Sequence, residues 1–279
     1  MTIWNKILAV FVSIVGLSLL ATAPLAKSIP GQYKAEIAQA GKLGRIIYEK
    51  DIAAWVGTDK MLEDLGQDVS GLPIRGWVTD KDGSRYRVNF IGVKDGETKI
   101  YYQAWTKGKQ VKKSKTYKQG IALSDAQMAM WRARNDAMKR LDAGDYLRCS
   151  GNYNTVVLPF DAGLYVYLFA STTKANVVVM GGHHRLEYSG NGKAMLNHHA
   201  FTNSCVNLLA KGKDNELVEA LAITHLNSLF PQEHHVFISK SFSDFPIIVI
   251  TPNDAVWNVA NGTVQYIEQI DIDNEDNSP

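Results

Sequence analysis

The chain has 279 residues, of which 46% are hydrophobic and 21% are charged. These proportions are typical of a folded globular protein and exclude a disordered, collagen-like or coiled-coil chain. The formal net charge is only +2, so the overall charge indicates neither a nucleic-acid-binding protein nor a strongly acidic one. We therefore expect no specific binding of nucleic acid.

The N-terminus has the layout of a secretory signal peptide. Lys6 precedes an apolar run over residues 7–23, and small residues lie at Ala21, Ala23 and Ala26. This layout predicts a signal peptide at residues 1–26, a periplasmic or secreted protein, and no membrane span in the mature chain. An uncleaved membrane anchor is the alternative, because the run is close to the minimum length that crosses a bilayer.

The chain has two cysteines, Cys149 and Cys205. In an oxidising compartment an even number of cysteines favours pairing, so we predict one disulfide between them. The alternative is that Cys205 is a thiol nucleophile, since histidines lie near it in the sequence.

Charge divides the mature chain into two parts. Residues 27–148 carry 23 Lys plus Arg and 15 Asp plus Glu, a net charge of +8, whereas residues 149–279 carry 6 and 13, a net charge of −7. We predict a region of helix, β-meander and helix at 27–148 and a sheet-rich region at 149–267. An acidic tail with few large apolar residues follows at 268–279, and we expect it to be disordered and solvated.

In the first part, apolar residues at helical spacing predict a helix over residues 33–65, interrupted near one of its glycines. The period then changes to two, which predicts a four-stranded meander over residues 75–117. Turn sequences at regular spacing support it: Lys-Asp-Gly at 81–83 and 94–96, and Lys-Gly-Lys at 107–109. Ser124 and Gln127 have the spacing of a capping box, which predicts a second helix to about residue 141, with Gly144 as its stop.

The second part has the composition of β-strands, with a short helix expected at 216–221. The predicted strands lie at 155–159, 164–171, 177–188, 193–202, 235–239, 247–251 and 263–267. The fold class is therefore α+β, with an N-terminal helix and antiparallel β-meander, then a helix and a mainly antiparallel, sheet-rich C-terminal half.

Histidines are concentrated in the second part. All seven lie between positions 183 and 235: His183, His184, His198, His199, His225, His234 and His235. Neutral imidazole is a common metal ligand and proton carrier, so the cluster predicts a ligand-binding, acid–base or metal site. The spacing matches no zinc motif, and buried or surface histidines with structural roles are the alternative. In an extended segment, Glu233 and His235 would lie on one side, where the carboxylate could orient the imidazole.

Three other groups of residues have weaker functional interpretations. Thr202, Asn203 and Ser204 could bind a ligand, or could form a turn beside Cys205. A lysine strip could contact an anionic partner or protect an edge strand from pairing. It consists of Lys107, Lys109, Lys112, Lys113, Lys115 and Lys118. On the first helix, Asp51, Trp55 and Asp59 could present one face, or could simply be packing and exposed residues.

Several segments together resemble a family of exported proteins of Gram-negative bacteria for which no activity is established. They are the sequences at 44–59, 154–159, 181–183, 201–205, 224–226 and 231–237. The resemblance spans most of the mature chain and implies export and a single architectural unit. It also implies which histidines matter, because His183, His225 and His235, with Glu233, lie in the similar segments.

These observations predict an exported, non-enzymatic ligand-binding or structural envelope protein with a histidine-lined polar pocket. The pocket would contain His183, Thr202, Ser204, His225, Glu233 and His235. The alternative is a periplasmic hydrolase with His235 or His225 as base, Glu233 as its orienting group, and Ser204 or a metal-bound water as nucleophile. No cofactor is predicted for the binding protein. The alternative is zinc, with His183, His225 and His235 as its candidate ligands.

Overall fold

The computed structural model describes residues 27–212 and 216–270. The predicted signal peptide at 1–26 lies outside the described residues, and so does most of the predicted acidic tail, at 271–279. The described part contains three α-helices: α1 (Lys34–Asp64), α2 (Asp125–Ala143) and α3 (Glu233–Ser241).

Its strands form four sheets, and the fold class is α+β as predicted. The strands are β1 (Ile74–Asp82), β2 (Arg85–Lys94), β3 (Glu97–Lys107), β4 (Gln110–Ile121), β5 (Asn152–Phe160), β6 (Gly163–Ser171), β7 (Val177–Val179), β8 (His184–Ser189), β9 (Met195–Ala200), β10 (Asn207–Leu209), β11 (Leu221–Thr224), β12 (Ile247–Ile250), β13 (Ala255–Ala260) and β14 (Thr263–Gln269). The sheet orders are β1-β2-β3-β4, β5-β6-β8-β9, β11-β12-β13-β14 and β7-β10. Among the strands described, β11 and β12 run parallel and the other pairs are antiparallel.

Helix α1 runs without a break for 31 residues, so the interruption expected at its glycines is wrong. The glycines serve close packing instead. A Cβ on Gly44 would lie 2.5 Å from Cβ of Val236 on α3, and a Cβ on Gly57 would lie 3.3 Å from Val88 on β2. Neighbouring elements therefore approach the helix backbone at points where any side chain would hold them off.

The meander and α2 follow the sequence closely. The β2–β3 turn at Asp95 and Gly96 has positive φ at both residues, as tight hairpins require. At the start of α2, the backbone N–H of Gln127 donates to Oγ of Ser124 at 3.3 Å, and the N–H of Ser124 donates to Oε1 of Gln127 at 2.9 Å. Gly144, in the left-handed conformation, ends the helix, so the capping box and the stop are confirmed.

Two predicted elements in the second half are wrong, and a third is divided. Residues 216–221 form no helix: Leu217 makes an isolated β-bridge, and β11 begins at Leu221. Residues 235–239 are helical and belong to α3, not to a strand. The predicted strand at 177–188 is two strands, β7 and β8, in different sheets.

Three apolar clusters form the interior, and α1 connects two of them. Ile37 and Ile47, in the first half of α1, pack with α3 and with sheet residues such as Trp257. Ala53 and Met61, in its second half, pack on the meander. The third cluster joins the meander and α2 to β5, β6 and β8. Residues from both parts of the chain thus pack in the same apolar clusters. The predicted domain boundaries remain a prediction.

Cys149 and Cys205 form the predicted disulfide, which excludes Cys205 as a free thiol nucleophile in this state. The bridge ties the segment before β5 to the segment that follows β9. The lysine strip lies largely on β4, which is an edge strand of its sheet. Within the described ranges, we find no helix that is both long and apolar enough to span a membrane.

Candidate functional site

The start of α3 and the end of β11 bring three histidines together. His225 directly follows β11, where its N–H donates to the carbonyl of Ile250 at 2.8 Å. His234 and His235 lie in the first turn of α3, which packs against α1 at Gly44. We call these three residues, His225, His234 and His235, the histidine triad.

The triad is compact and enclosed. Ring centroids are 3.7 Å apart for His234 and His235, 4.7 Å for His225 and His235, and 5.3 Å for His225 and His234. One ring nitrogen from each residue lies within 4.8 Å of the other two. The exposed fraction of each residue is 1% or less.

The triad nitrogens are unusual because most have no hydrogen-bond partner. Among the described residues, Nδ1 of His225, both nitrogens of His234 and Nε2 of His235 are buried and unpaired. A buried polar atom without a partner costs about 1–3 kcal/mol of stability. The two remaining nitrogens contact one residue: Nε2 of His225 lies 3.1 Å from Oε1 of Gln232, and Nδ1 of His235 accepts from the N–H of Gln232 at 3.2 Å.

Burial keeps these imidazoles neutral. Desolvation lowers the pKa of His225 to about 4, although the hydrogen bond with Gln232 partly offsets this effect. The pKa values of His234 and His235 lie well below the ordinary value, first because of burial and then because of the neighbouring imidazoles. At neutral pH each ring therefore carries one proton and one lone pair. The lone pair of His235, on Nδ1, accepts from the N–H of Gln232.

Glu233 lies near the triad but does not orient His235. Its Oε1 accepts from Nη1 of Arg185 at 2.6 Å and from the hydroxyl of Tyr167 at 3.1 Å, and it is only 4% exposed. The predicted pairing of Glu233 with His235 assumed an extended segment. Both residues lie in a helix, where residues two apart do not face each other. The predicted pairing therefore does not form, because it depended on a strand at this position.

His183 is placed differently from the triad. Its Nδ1 accepts from the N–H of Ala170 at 3.1 Å, and its Nε2 lies 3.0 Å from the carbonyl of Val179. Its ring centroid is 6.2 Å from that of His234. With both nitrogens occupied by the backbone, His183 holds β6 to β7 and has no lone pair left for a metal or a proton.

The remaining predicted pocket residues form a turn. Oγ1 of Thr202 accepts from the N–H of Gly182 at 3.0 Å and donates to the carbonyl of Ser204 at 3.2 Å. Ser204 is exposed, and no hydrogen bond joins it to a histidine in the part of the chain that the structure describes. The structure thus brings together His225 and His235 from the predicted set, adds His234, and places Thr202 and Ser204 in the turn beside the disulfide.

The other histidines pack near the triad without joining it. Nε2 of His198 lies 3.1 Å from Nδ1 of His184, whose Nε2 lies 2.8 Å from the carbonyl of Leu147. Nε2 of His199 lies 3.2 Å from Nε2 of Gln232. Gln232 therefore contacts His199 as well as the triad, whereas His184 and His198 contact each other.

A cleft of about 300 Å³ opens on the other side of His183. We call it the Asp51 cleft, because its acidic side chain comes from Asp51 on α1. Apolar walls combine with a polar rim in this cleft. Its lining includes Phe169, Val177, Phe237 and Phe242 on the apolar side, and Asn154, Ser171, Thr172, Thr173, Lys174 and Ser241 on the polar side.

Asp51 is the acidic group of this cleft, and its pKa is strongly perturbed. Burial raises the pKa of its carboxyl from 3.8 to about 6, and a hydrogen bond with Asn154 opposes the rise. In the sequence, Asp51 repeats with Trp55 and Asp59 along α1. In the structure their exposure differs, because Trp55 and Asp59 are exposed whereas Asp51 is half-buried against β5.

Comparisons with known proteins assign no family. No family model matches the chain, and no curated protein matches it significantly. Among solved structures, the chain is similar to a candidate lipoprotein of Clostridium difficile 630, with 13% identity over 53% of this chain and 92% of that one. The TM-score is 0.19, so this similarity supports no conclusion about fold or function. The resemblance to a family of exported proteins stays a prediction.

Proposed function

We propose that the chain is an exported, non-enzymatic binding protein that holds a small amine with an apolar body in the Asp51 cleft. Two observations support export. The sequence begins with the layout of a signal peptide, and Cys149 and Cys205 form a disulfide, which is typical of oxidising compartments.

The observation that carries the proposal is the carboxyl of Asp51. Its ionised form is disfavoured by burial in the cleft. A cationic ligand would supply the opposite charge that this carboxylate lacks, and would be attracted more strongly there than in water because the surroundings are desolvated.

The rest of the cleft fits the same class of ligand. Its volume is at the lower end of the range for small-molecule sites. Phe169, Phe237 and Phe242 provide apolar and aromatic surface for the body of the ligand, while Asn154 and Ser171 offer hydrogen bonds near the carboxyl. His183 lines the cleft but serves it as a support, since both its ring nitrogens bond to backbone.

Binding of defined amines tests the proposal. Phenethylamine and tryptamine are titrated into the mature protein and followed by ligand-observed NMR, with 3-phenylpropionate as a probe of opposite charge. We expect the amines to bind at pH 7.5, the carboxylate not to bind, and amine affinity to fall below pH 6 as Asp51 becomes protonated.

Two variants complete the experiment. Asp51→Asn should weaken amine binding at least tenfold, whereas Asp59→Asn, which changes an exposed carboxylate on the same helix, should leave it unchanged. Amine binding that survives Asp51→Asn, or an absence of binding by both amines, would contradict the proposal.

A further inference from the structure

The histidine triad has the donors of a metal site, and it is distinct from the cleft of the proposed function. We infer that His225, His234 and His235 bind one first-row transition-metal ion of the kind that imidazole prefers, such as zinc or copper. Three neutral imidazoles gathered in one enclosed place, with four of their six ring nitrogens unpaired, match the ligand sets of such ions. His183 was a predicted metal ligand and His234 was not. Both ring nitrogens of His183 bond to backbone groups, so it is not one of the ligands.

Gln232 prepares His225 to act as a ligand. Its Oε1 lies 3.1 Å from Nε2 of His225, and a carbonyl oxygen can only accept, so this contact places the ring proton on Nε2. Nδ1 of His225 then carries the lone pair, and this atom is buried without a partner. Metal-bound histidines usually donate their other ring N–H to an oxygen acceptor, and the carbonyl oxygen of Gln232 occupies that position for His225.

The amide of Gln232 also contacts His199. Nε2 of His199 lies 3.2 Å from Nε2 of Gln232 and 3.3 Å from its Oε1, so the side-chain amide lies between His199 and His225. Gln232 therefore acts as a positioning residue for the triad. It is half-buried, and it lies between the enclosed triad and the surface.

Of the three rings, that of His234 has the fewest hydrogen-bond partners. Both its nitrogens are unpaired, its exposed fraction is 0%, and its ring packs on Phe201 with centroids 4.4 Å apart. Either nitrogen can therefore serve as ligand. A phenylalanine or leucine in this place would pack equally well without unpaired polar atoms, so packing does not account for the imidazole.

His235 must change its tautomer to bind an ion. Its Nδ1 accepts from the N–H of Gln232, so its proton is on Nε2, the unpaired atom. Metal bound at Nε2 moves that proton to Nδ1 and removes the hydrogen bond from the N–H of Gln232. Faster hydrogen exchange of the Gln232 amide on metal addition is thus a specific signature of this site.

The geometry requires a small contraction. A tetrahedral zinc ion with bonds of about 2.1 Å holds its nitrogen ligands about 3.4 Å apart, compared with separations of up to 4.8 Å in the triad. Ring rotations can provide this change. Three protein ligands also leave one coordination position for water or an external ligand.

Metal titration of the untagged mature protein tests the inference. The protein is first treated with a chelator, and Zn²⁺ is then titrated by calorimetry, with Co²⁺ as a spectroscopic probe of tetrahedral coordination. We expect one equivalent to bind with a dissociation constant in the micromolar range or below, and zinc to raise the melting temperature.

Variants locate the ion. His225→Asn and His234→Leu should each lower zinc affinity at least a hundredfold, and Gln232→Leu should lower it ten- to a hundredfold while leaving the ligands in place. His198→Leu is the matched control, since this histidine is half-buried outside the triad, and it should bind like the wild type. Circular dichroism confirms that each variant is folded, and Gln232→Leu, outside the enclosed triad, provides the result if a triad variant does not fold.

Three outcomes would overturn the inference. They are absence of zinc, cobalt and copper binding by the wild type, wild-type affinity in His234→Leu, and loss of binding in His198→Leu alone. Any of these results would mean that the three histidines are neutral packing residues of the core.

Discussion

At the scale of single residues, Asp51 combines a cost in stability with the role in binding that we propose for it. Its pKa is about 6 in the folded protein, against 3.8 for an ordinary aspartate. The folded state therefore holds this proton more tightly than the unfolded chain does. The contribution of Asp51 to stability is therefore most favourable below pH 3.8, falls as the pH rises towards 6, and stays reduced above that.

Replacing Asp51 by Asn should remove this dependence. The free energy of unfolding of Asp51→Asn, minus that of the wild type, should increase by about 3 kcal/mol between acidic and neutral pH. Urea unfolding of both proteins at pH 3.5, 5 and 7.5 measures the change. Asp59→Asn should show no such trend, and parallel curves for Asp51→Asn and the wild type would show that burial does not disfavour the carboxylate.

The histidines show what a sequence can and cannot indicate at this scale. Their clustering between positions 183 and 235 was visible, and three of them, His225, His234 and His235, lie together in the structure. The choice among them depended on which nitrogen meets which backbone group. His183 has two such partners and His234 has none, and these contacts join residues that are far apart in the chain or in different elements.

At the scale of elements, the contact between α1 and α3 explains two predictions that were wrong. Val236, Phe237 and Ile238 have the β-branched and aromatic character of a strand. They are helical in the structure because α3 is buried on nearly all sides, so no polar face marks its helical period. The same burial requires Gly44 on α1, which sequence reasoning interpreted as a helix breaker.

A pair of glycine substitutions tests this interpretation of α1. In an exposed helix, Gly→Ala stabilises by about 1 kcal/mol. At Gly44 the new Cβ would meet Cβ of Val236 at 2.5 Å and the carbonyl of Glu233 at 2.6 Å, so Gly44→Ala should destabilise by about 2–3 kcal/mol. At Gly41 it would meet only the end of the flexible Arg45 side chain, at 3.1 Å, so Gly41→Ala should be neutral or stabilising.

Thermal or urea unfolding of both variants gives the comparison. If Gly44→Ala destabilises the protein and Gly41→Ala, one turn away, does not, then close packing and not helix propensity determines the effect at Gly44. Stabilisation by Gly44→Ala would mean that α3 does not lie against this point of α1.

The meander and α2 were predicted correctly, in contrast to two elements of the second half. The turns of the meander and the capping box of α2 depend on residues within a few positions of one another, and all were predictable. The helix predicted at 216–221 and the strand predicted at 235–239 were both wrong. Leu217 bridges to Lys211, whereas residues 235–239 belong to a helix that packs against the distant α1. Local chemistry thus determined the meander and α2, while tertiary contacts determined the course of α1 and the helix that carries His234 and His235.

At the scale of the whole molecule, shared apolar cores hold the two parts of the chain together. Helix α1 contributes Ile47 to one apolar cluster and Met61 to another, and so links the C-terminal sheet to the meander. The sequence indicated two regions of opposite charge. It did not indicate that their apolar residues mix, because charge patterning reports on surfaces and not on cores.

The disulfide between Cys149 and Cys205 should contribute substantially to global stability. It is formed between residues 56 positions apart, so opening it releases a long loop in the unfolded chain. In the loop-entropy description this corresponds to about 4 kcal/mol. The double variant Cys149→Ser/Cys205→Ser and the reduced wild type should therefore both unfold at much lower urea concentration than the oxidised protein, with similar midpoints. A loss below about 1 kcal/mol in both would show that the unfolded chain already keeps this loop closed, since the bridge would then remove little entropy from it.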